Sequence, residues 1–268
     1  PVSPATTGPS KRLAARPGVC TVARLSHRRL WRGQKLRLGA GAAGLVVATA
    51  VAGRYAGAAA TGVSPSAAFD AGVQWGFFRL LVFVLPLLFV SGAVAEEVSA
   101  RTLPLLTVRP VSRVAIACGK YLSGYGACAL VLVSAMVALH LGLYATAPAA
   151  LVSALPATLR ATGALVLLCA YYAAVCLLWS ALTPSAGGLV AGTYFATLEL
   201  CGSVMPGPLR WISLNHAAQS LTTLPVGGLM PDRVPHAPPA VAVLLLAAFT
   251  ALALACALAA FNEREYPT

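Results

Sequence analysis

Long apolar segments separated by short polar ones dominate the chain. A membrane-spanning helix needs about 20 predominantly apolar residues. The fifth candidate segment is short and Gly-rich, contains Glu199, and follows the fourth after the tight turn Thr183-Pro184-Ser185. The pattern predicts an all-α, polytopic membrane bundle of about six transmembrane helices. The segments predicted to span are 38–59, 74–95, 117–144, 161–182, 186–205 and 239–261.

The polar segments divide the rest of the chain. Residues 1–20 are rich in Pro, Ser, Thr and Arg, which predicts a disordered basic tail. Residues 21–37 are predicted to form a basic helix in the lipid headgroup layer, ahead of a six-span domain over 38–261. Residues 262–268 are predicted to be a cytoplasmic tail, and 206–238 is the largest outer loop.

The outer loop contains a helical pattern of its own. Its apolar residues Trp211, Leu214, Ala218 and Leu221 recur at helical spacing, and the polar residues Arg210, Ser213 and Gln219 lie off that stripe. An interfacial or re-entrant helix fits this pattern. An ordinary helix within an extracellular loop fits it equally well.

Composition and charge agree with a membrane protein. The chain has 268 residues, of which 59% are hydrophobic and 10% charged, with a mean hydropathy of +0.80. A soluble domain has about a quarter of its residues charged. The net charge of +12 would suggest nucleic acid in a soluble protein, but nine of the 19 basic residues precede position 38. This placement indicates membrane lipid as the partner and not nucleic acid.

The distribution of Lys and Arg predicts the orientation. Fourteen basic residues fall on the side of the N-terminus and five on the opposite side. Because cytoplasmic segments carry the excess of positive charge, both termini are predicted to be cytoplasmic. A five-span alternative would put the C-terminal tail outside with little change in these counts. The chain is therefore predicted to be a multi-pass protein of a cell inner (plasma) membrane, and its Ala-, Gly- and Arg-rich composition suggests a bacterial source.

The segment 96–120, between the second and third predicted spans, differs from every other polar segment. It is too polar to be embedded in the membrane and too apolar to be a solvated linker. Pro110 suits the first turn of the helix that leads into the third span. A short apolar helix on the cytoplasmic face is predicted to dock a soluble partner. Its apolar cluster is Thr102, Leu103, Leu105, Leu106 and Val108, and its bracketing charges are Glu96, Glu97, Arg109 and Arg113.

This segment resembles the signature of type-2 ATP-binding-cassette (ABC) transporter permeases, in particular those of the small six-span kind. The matching positions are Glu97, Thr102-Leu103, Leu106, Pro110-Val111-Ser112-Arg113, Ile116 and Gly119-Lys120. Three positions depart from the pattern. Arg101 stands where the family usually has Gly, Ser99 where a second acid is frequent, and Pro104 where a polar residue is common.

The resemblance implies a permease subunit of an ATP-driven exporter. Two copies, or this chain and a paralogue, would associate, and each would place a coupling helix in a groove of a separate cytoplasmic ABC ATPase. ATP and Mg²⁺ would bind to that ATPase, and this chain would hold no cofactor. The resemblance assigns ATPase coupling to Glu97, Thr102, Leu103, Leu106, Arg109, Pro110, Arg113 and Lys120.

Two other functions compete with this one. Glu96-Glu97-x-x-x-Arg101 matches the first motif of an intramembrane protease family, although His140 and His216 lack the later motifs. A non-transporting assembly factor or scaffold is the other alternative. Gly119-Lys120 does not form a phosphate-binding loop, because Val114 replaces the required Gly and Tyr121 the Ser or Thr. The chain is therefore predicted not to be an enzyme.

Ionisable side chains inside the predicted spans are candidates for function. Arg54 and Arg79 lie near outer ends and can snorkel to the interface. Glu199 is expected either to pair with Arg79 or to line a translocation path. His140 is expected to be a packed or hydrogen-bonded residue and not a ligand.

Glycine spacing, cysteine spacing and the composition of the spans give three further predictions. Gly53/Gly57 and Gly188/Gly192 are pairs four residues apart, which predicts close helix packing. The seven Cys residues include no CxxC pair and are predicted to be free thiols, with no metal site. The Ala-, Leu- and Val-rich spans fit a hydrophobic or amphipathic cargo better than a hydrophilic ion.

Overall fold

Helices make up most of the chain in the computed structural model, which describes residues 19, 23–27, 33–61, 64–92, 113–200, 202, 213–222 and 237–263. Within these ranges there is no strand, and five helices are long and apolar enough to cross a membrane. The long helices are α1 (Gln34–Thr61), α2 (Pro65–Phe89), α3 (Arg113–Tyr144), α5 (Leu155–Leu182) and α8 (Pro239–Glu263). The short ones are α4 (Pro148–Ser153), α6 (Gly187–Tyr194 continued by Phe195–Leu200) and α7 (Leu214–Gln219).

The predicted helical membrane bundle is thus confirmed, but four helices begin earlier than the hydropathy pattern indicates. The largest difference is in α2, predicted from residue 74 and observed from Pro65. Ser64 caps this helix, because its Oγ accepts a hydrogen bond from the Ala67 N–H at 3.2 Å, and Pro65 occupies the first turn. The first two turns contain Ser66 and Asp70, so their low hydropathy hid the start of the helix.

The tight turn predicted after the fourth span is confirmed. The Ala186 N–H donates to the Thr183 carbonyl at 3.1 Å and closes the turn between α5 and α6. A Cβ placed on Gly187 would lie 2.7 Å from the Ser180 Cα. Only glycine therefore allows α6 to start this close to the end of α5.

Helix α5 lies at the centre of the bundle and packs against α2, α3, α6 and α8. Lipid tails are as apolar as the helix surfaces, so van der Waals packing and not hydrophobic burial holds the helices together. Close approach depends on glycine where α1 meets its neighbours: Gly76 faces Val46, and Gly142 faces Val51. Gly53, predicted to be a packing position, has no described atom within 4 Å of where a Cβ would lie, so the prediction was wrong there.

Three helix ends meet at one end of the bundle. Ala117 near the start of α3, Ala181 at the end of α5 and Phe261 at the end of α8 form one buried apolar cluster. Because Ala181 and Phe261 share an end and α8 is a full-length helix, residues 183–238 return the chain to the opposite end. That return is what a sixth crossing requires, although α6 as described covers only 14 residues, or about 21 Å.

The basic segment before α1 is described in part. Ala23–His27 is helical, and the next described helix, α1, begins at Gln34. Lys35 and Arg37, which the prediction placed in a separate interfacial helix, belong to the first turn of α1. The predicted disordered tail over 1–20 lies outside the described residues except for Val19.

Candidate functional site

The predicted coupling segment is described only at its end. Six of its eight assigned residues fall within 93–112, outside the described residues: Glu97, Thr102, Leu103, Leu106, Arg109 and Pro110. The other two lie on α3. Arg113 is exposed at the first turn and its Nη1 donates to the Asn262 carbonyl at 3.3 Å, whereas Lys120 is buried two turns later. The segment therefore joins α3 directly beside the C-terminal end of α8.

A buried polar network between α2, α6 and α7 was not predicted. Its five side chains come from these three helices, counting Ser213 at the start of α7, and each is no more than 5% exposed. An intramembrane polar group without a partner is costly, so a connected network of this size marks a candidate functional region. The members are Gln74, Glu199, Ser213, Asn215 and Gln219.

The network is continuous from α2 to α6. The Gln74 Nε2 donates to Gln219 Oε1 at 3.1 Å, and the Gln219 Nε2 donates to Asn215 Oδ1 at 3.4 Å. The Asn215 backbone N–H then donates to Glu199 Oε2 at 3.1 Å, and the Ser213 hydroxyl donates to the same oxygen at 2.9 Å. Residues far apart along the chain are thereby held in one arrangement.

Two π-helical segments position the network. Gly72–Leu81 within α2 carries Gln74 and Phe78, and Phe195–Leu200 at the end of α6 carries Glu199. A π-helical turn displaces carbonyl groups from the regular α-helical ladder and is frequent at functional sites. Here the Asn215 Nδ2 donates to the Phe78 carbonyl at 3.1 Å, so the irregular backbone of α2 supplies one of the acceptors.

The carboxylate of Glu199 accepts from neutral donors. Ser213 and Asn215 provide them, and the Tyr172 hydroxyl, on α5, is near enough to interact electrostatically. The guanidinium of Arg79, the partner that the sequence suggested, lies instead over the Trp75 ring, 4.2 Å from its centroid. Two oriented donors to one oxygen hold the carboxylate in place without a cation.

Helix α7 bears on the two alternatives left open for the outer loop, an interfacial or re-entrant helix and an ordinary helix within an extracellular loop. All six of its residues are buried, and it packs against α5 and α8 inside the bundle. The stripe pattern had set Ser213 and Gln219 apart from the buried face, and that was wrong, because both are buried members of the network. Residues on α2 and α6 form hydrogen bonds with the polar face of α7, so that face does not require contact with water.

His140 is a hydrogen-bonded residue of α3. Its Nε2 lies 3.1 Å from the Leu151 carbonyl and its Nδ1 lies 2.8 Å from the Thr158 Oγ1, so an Nε2–H tautomer satisfies both contacts. Phe69 and Tyr144 pack around the ring. Both ring nitrogens are thus engaged by the protein. In the part of the chain that the structure describes, no group of three or more His, Cys, Asp or Glu side chains is placed to hold a metal ion.

Sequence reasoning found Glu199 because it is charged and missed the other members because they are neutral. Gln74 stands in a segment that reads as apolar, and Asn215 and Gln219 stand in a loop. The available signal was the spacing of the two loop amides, four residues apart, which places them on one face of a helix. Only the folded bundle brings that face against Gln74 and Glu199.

The comparison with protein families places most of the chain. The family model described as ABC-2 family transporter protein matches residues 31–198. The matched range runs from just before α1 to two residues before the end of α6 and includes the whole predicted coupling segment. No curated protein matches the chain.

Proposed function

The chain belongs to the ABC-2 family of transporter proteins, and from that premise we propose that it is the permease subunit of an ATP-driven exporter. It is a multi-pass membrane protein and a transporter component. The proposal adds that a separate cytoplasmic ATPase supplies ATP hydrolysis and that two permease chains associate. The observation that carries it is the family match, which covers α1–α6 together with the segment 96–120.

Coupling would run through the start of α3. In this proposal the ATPase binds the apolar cluster around Leu103 and Leu106. Movement of the ATPase then displaces the first turn of α3 at Arg113. Because Arg113 donates to the Asn262 carbonyl, the end of α8 would move with it. The cluster of Ala117, Ala181 and Phe261 would extend that movement to α5.

Purification from the native membrane tests the partnership. A tagged full-length chain, extracted in mild detergent, should retain an ATPase that carries a G-x-x-x-x-G-K-[ST] phosphate-binding loop. Native mass spectrometry should find two permease chains and two ATPase chains in the complex. Isolation of the chain as a stable species free of any such ATPase, with no ATPase recovered after cross-linking in the membrane, would contradict the proposal.

A further inference from the structure

A groove between α1 and α2 is separate from the polar network and from the coupling segment. It has a volume of about 530 Å³, within the range of ligand-binding pockets, and is lined mainly by small and apolar residues. The α1 lining extends from Val46 to Arg54 and the α2 lining from Ala67 to Leu80. These stretches measure about 12 Å and about 20 Å along their helices, close to the roughly 15 Å depth of one lipid leaflet.

Among the described residues, the lining of the groove is apolar apart from Arg54 and Thr49, and the Arg79 guanidinium lies over the ring of Trp75 at its border. Ala50, Gly53, Ala71 and Gly72 form much of the groove floor, and the only hydroxyl, that of Thr49, donates to the Val46 carbonyl at 3.0 Å within α1. Trp75 borders the groove and is 53% exposed. A surface of this kind fits a hydrocarbon chain and offers little to a hydrophilic solute.

Arg54 supplies the charge toward the end of the groove nearest the C-terminal end of α1. It lies in the part of α1 that the sequence predicts to span the membrane, and its side chain is half-buried. Among the described residues, its buried Nε has no hydrogen-bond partner, and its guanidinium carbon lies 5.8 Å from the centroid of the Tyr55 ring. Asp70 on the same stretch of α2 is not part of the lining.

An arginine side chain carries a positive charge in proteins. A charge inside the membrane is costly without a counter-charge, and guanidinium matches phosphate with two parallel hydrogen bonds. We propose that the α1–α2 groove binds an anionic glycerophospholipid, with an acyl chain on the small-residue floor and the phosphate on Arg54. The site involves neither the ATPase nor the coupling segment, so it stands or falls separately from the proposed transport function.

Fluorescence of Trp75 tests the site in the full-length chain. The other tryptophans, Trp31, Trp179 and Trp211, are replaced by Phe, and the protein is reconstituted in vesicles of equal parts phosphatidylglycerol and phosphatidylcholine. Bromine atoms on the acyl chains of one lipid or the other then quench Trp75 by contact. We expect brominated phosphatidylglycerol to bind beside Trp75 about fivefold more tightly than brominated phosphatidylcholine, the preference that one basic residue provides.

Variants at two positions of the groove, each with a control, identify the residues responsible. R54Q should abolish the fivefold preference, and R54K should retain much of it. R160Q, which removes an exposed arginine from α5 away from the groove, should leave the preference unchanged. G53L should fill the groove and reduce quenching by both lipids, because no described atom lies within 4 Å of its Cβ position. G44L, at an equally open position of α1 outside the groove, is its matched control.

Thermal unfolding in detergent confirms that each variant is folded before its fluorescence is compared. Equal quenching by the two lipids in the chain that keeps Arg54 and Gly53 would overturn the proposal. A preference for phosphatidylglycerol that survives R54Q would also overturn it. If neither lipid quenches Trp75, protein covers the groove, for example a second copy of this chain, and the proposal also fails.

Discussion

Glu199 and Arg54 are both ionisable side chains inside an apolar helical bundle, but they differ in burial and in hydrogen-bond partners. Glu199 is buried, and its carboxylate receives hydrogen bonds from Ser213 and Asn215. Arg54 is half-buried beside an open groove, and its Nε has no hydrogen-bond partner among the described residues. Because either charge is costly in a membrane, the fold satisfies the first, and under our proposal a ligand satisfies the second.

The largest expected effect is at Glu199. Replacement by Leu leaves the Asn215 N–H as a buried donor without an acceptor and leaves the Ser213 hydroxyl with only the backbone carbonyl of residue 199, at 3.3 Å, so E199L should lower the free energy of unfolding by about 3 kcal/mol. In a chain of this size that corresponds to a fall of about 8 °C in the unfolding midpoint. E199Q retains an acceptor oxygen and should lose about 1 kcal/mol. Thermal unfolding in detergent measures both.

Leu198 is the matched control for this prediction, because it is the adjacent residue on α6 and is exposed. L198A should shift the midpoint by less than about 3 °C. If E199L proved as stable as L198A, the carboxylate would not be satisfied by internal donors, and the contrast with Arg54 would disappear.

A smaller effect is expected where the network joins α2. The Gln74–Gln219 hydrogen bond links two neutral amides, so Q74L or Q219L alone should cost about 1–2 kcal/mol by leaving a buried partner unpaired. The double variant should cost less than the sum, with a coupling energy of about 1 kcal/mol. A double-mutant cycle of unfolding midpoints measures it. Strict additivity would mean that the two amides do not interact.

The smallest effect is expected at Arg54. Since no described hydrogen bond is lost, R54Q should change the unfolding free energy in lipid-free detergent by less than about 0.5 kcal/mol. Added phosphatidylglycerol should raise the midpoint of the wild type but not that of R54Q, because a ligand stabilises only the protein that binds it. A large loss of stability in R54Q without lipid would show that Arg54 has an internal partner, like Glu199.

The features that depend on local pattern could be predicted from the sequence. The helical bundle and the turn at Thr183–Ser185 follow from hydropathy, from Pro and from short spacing, all of which are visible in a few consecutive residues. The hydrogen-bonded state of His140 was also expected, and its ring contacts agree.

The candidate site could be predicted only in part, for two physical reasons. Hydropathy ignores caps, so the polar first turns of α2 were assigned to a loop although Ser64 and Pro65 start a helix there. The burial of Gln219 depends on Gln74, which is 145 positions away, so no local pattern could show that the polar face of α7 has partners. The six coupling residues between Glu97 and Pro110 lie outside the described residues, and their role stays a prediction.

That this chain is the membrane half of an ATP-driven transporter is tested most directly by L106D. Leu106 is predicted to be a buried anchor in the ATPase groove, and burying a charge there should cost at least about 2 kcal/mol, or about thirtyfold in affinity. L229D is the control, because residue 229 is predicted to lie on the opposite side of the membrane. Recovery of the ATPase with the tagged chain should fall about thirtyfold in L106D and stay normal in L229D, with both unfolding midpoints unchanged. Full recovery of an active ATPase with L106D would contradict the assignment of 96–120 as the coupling segment.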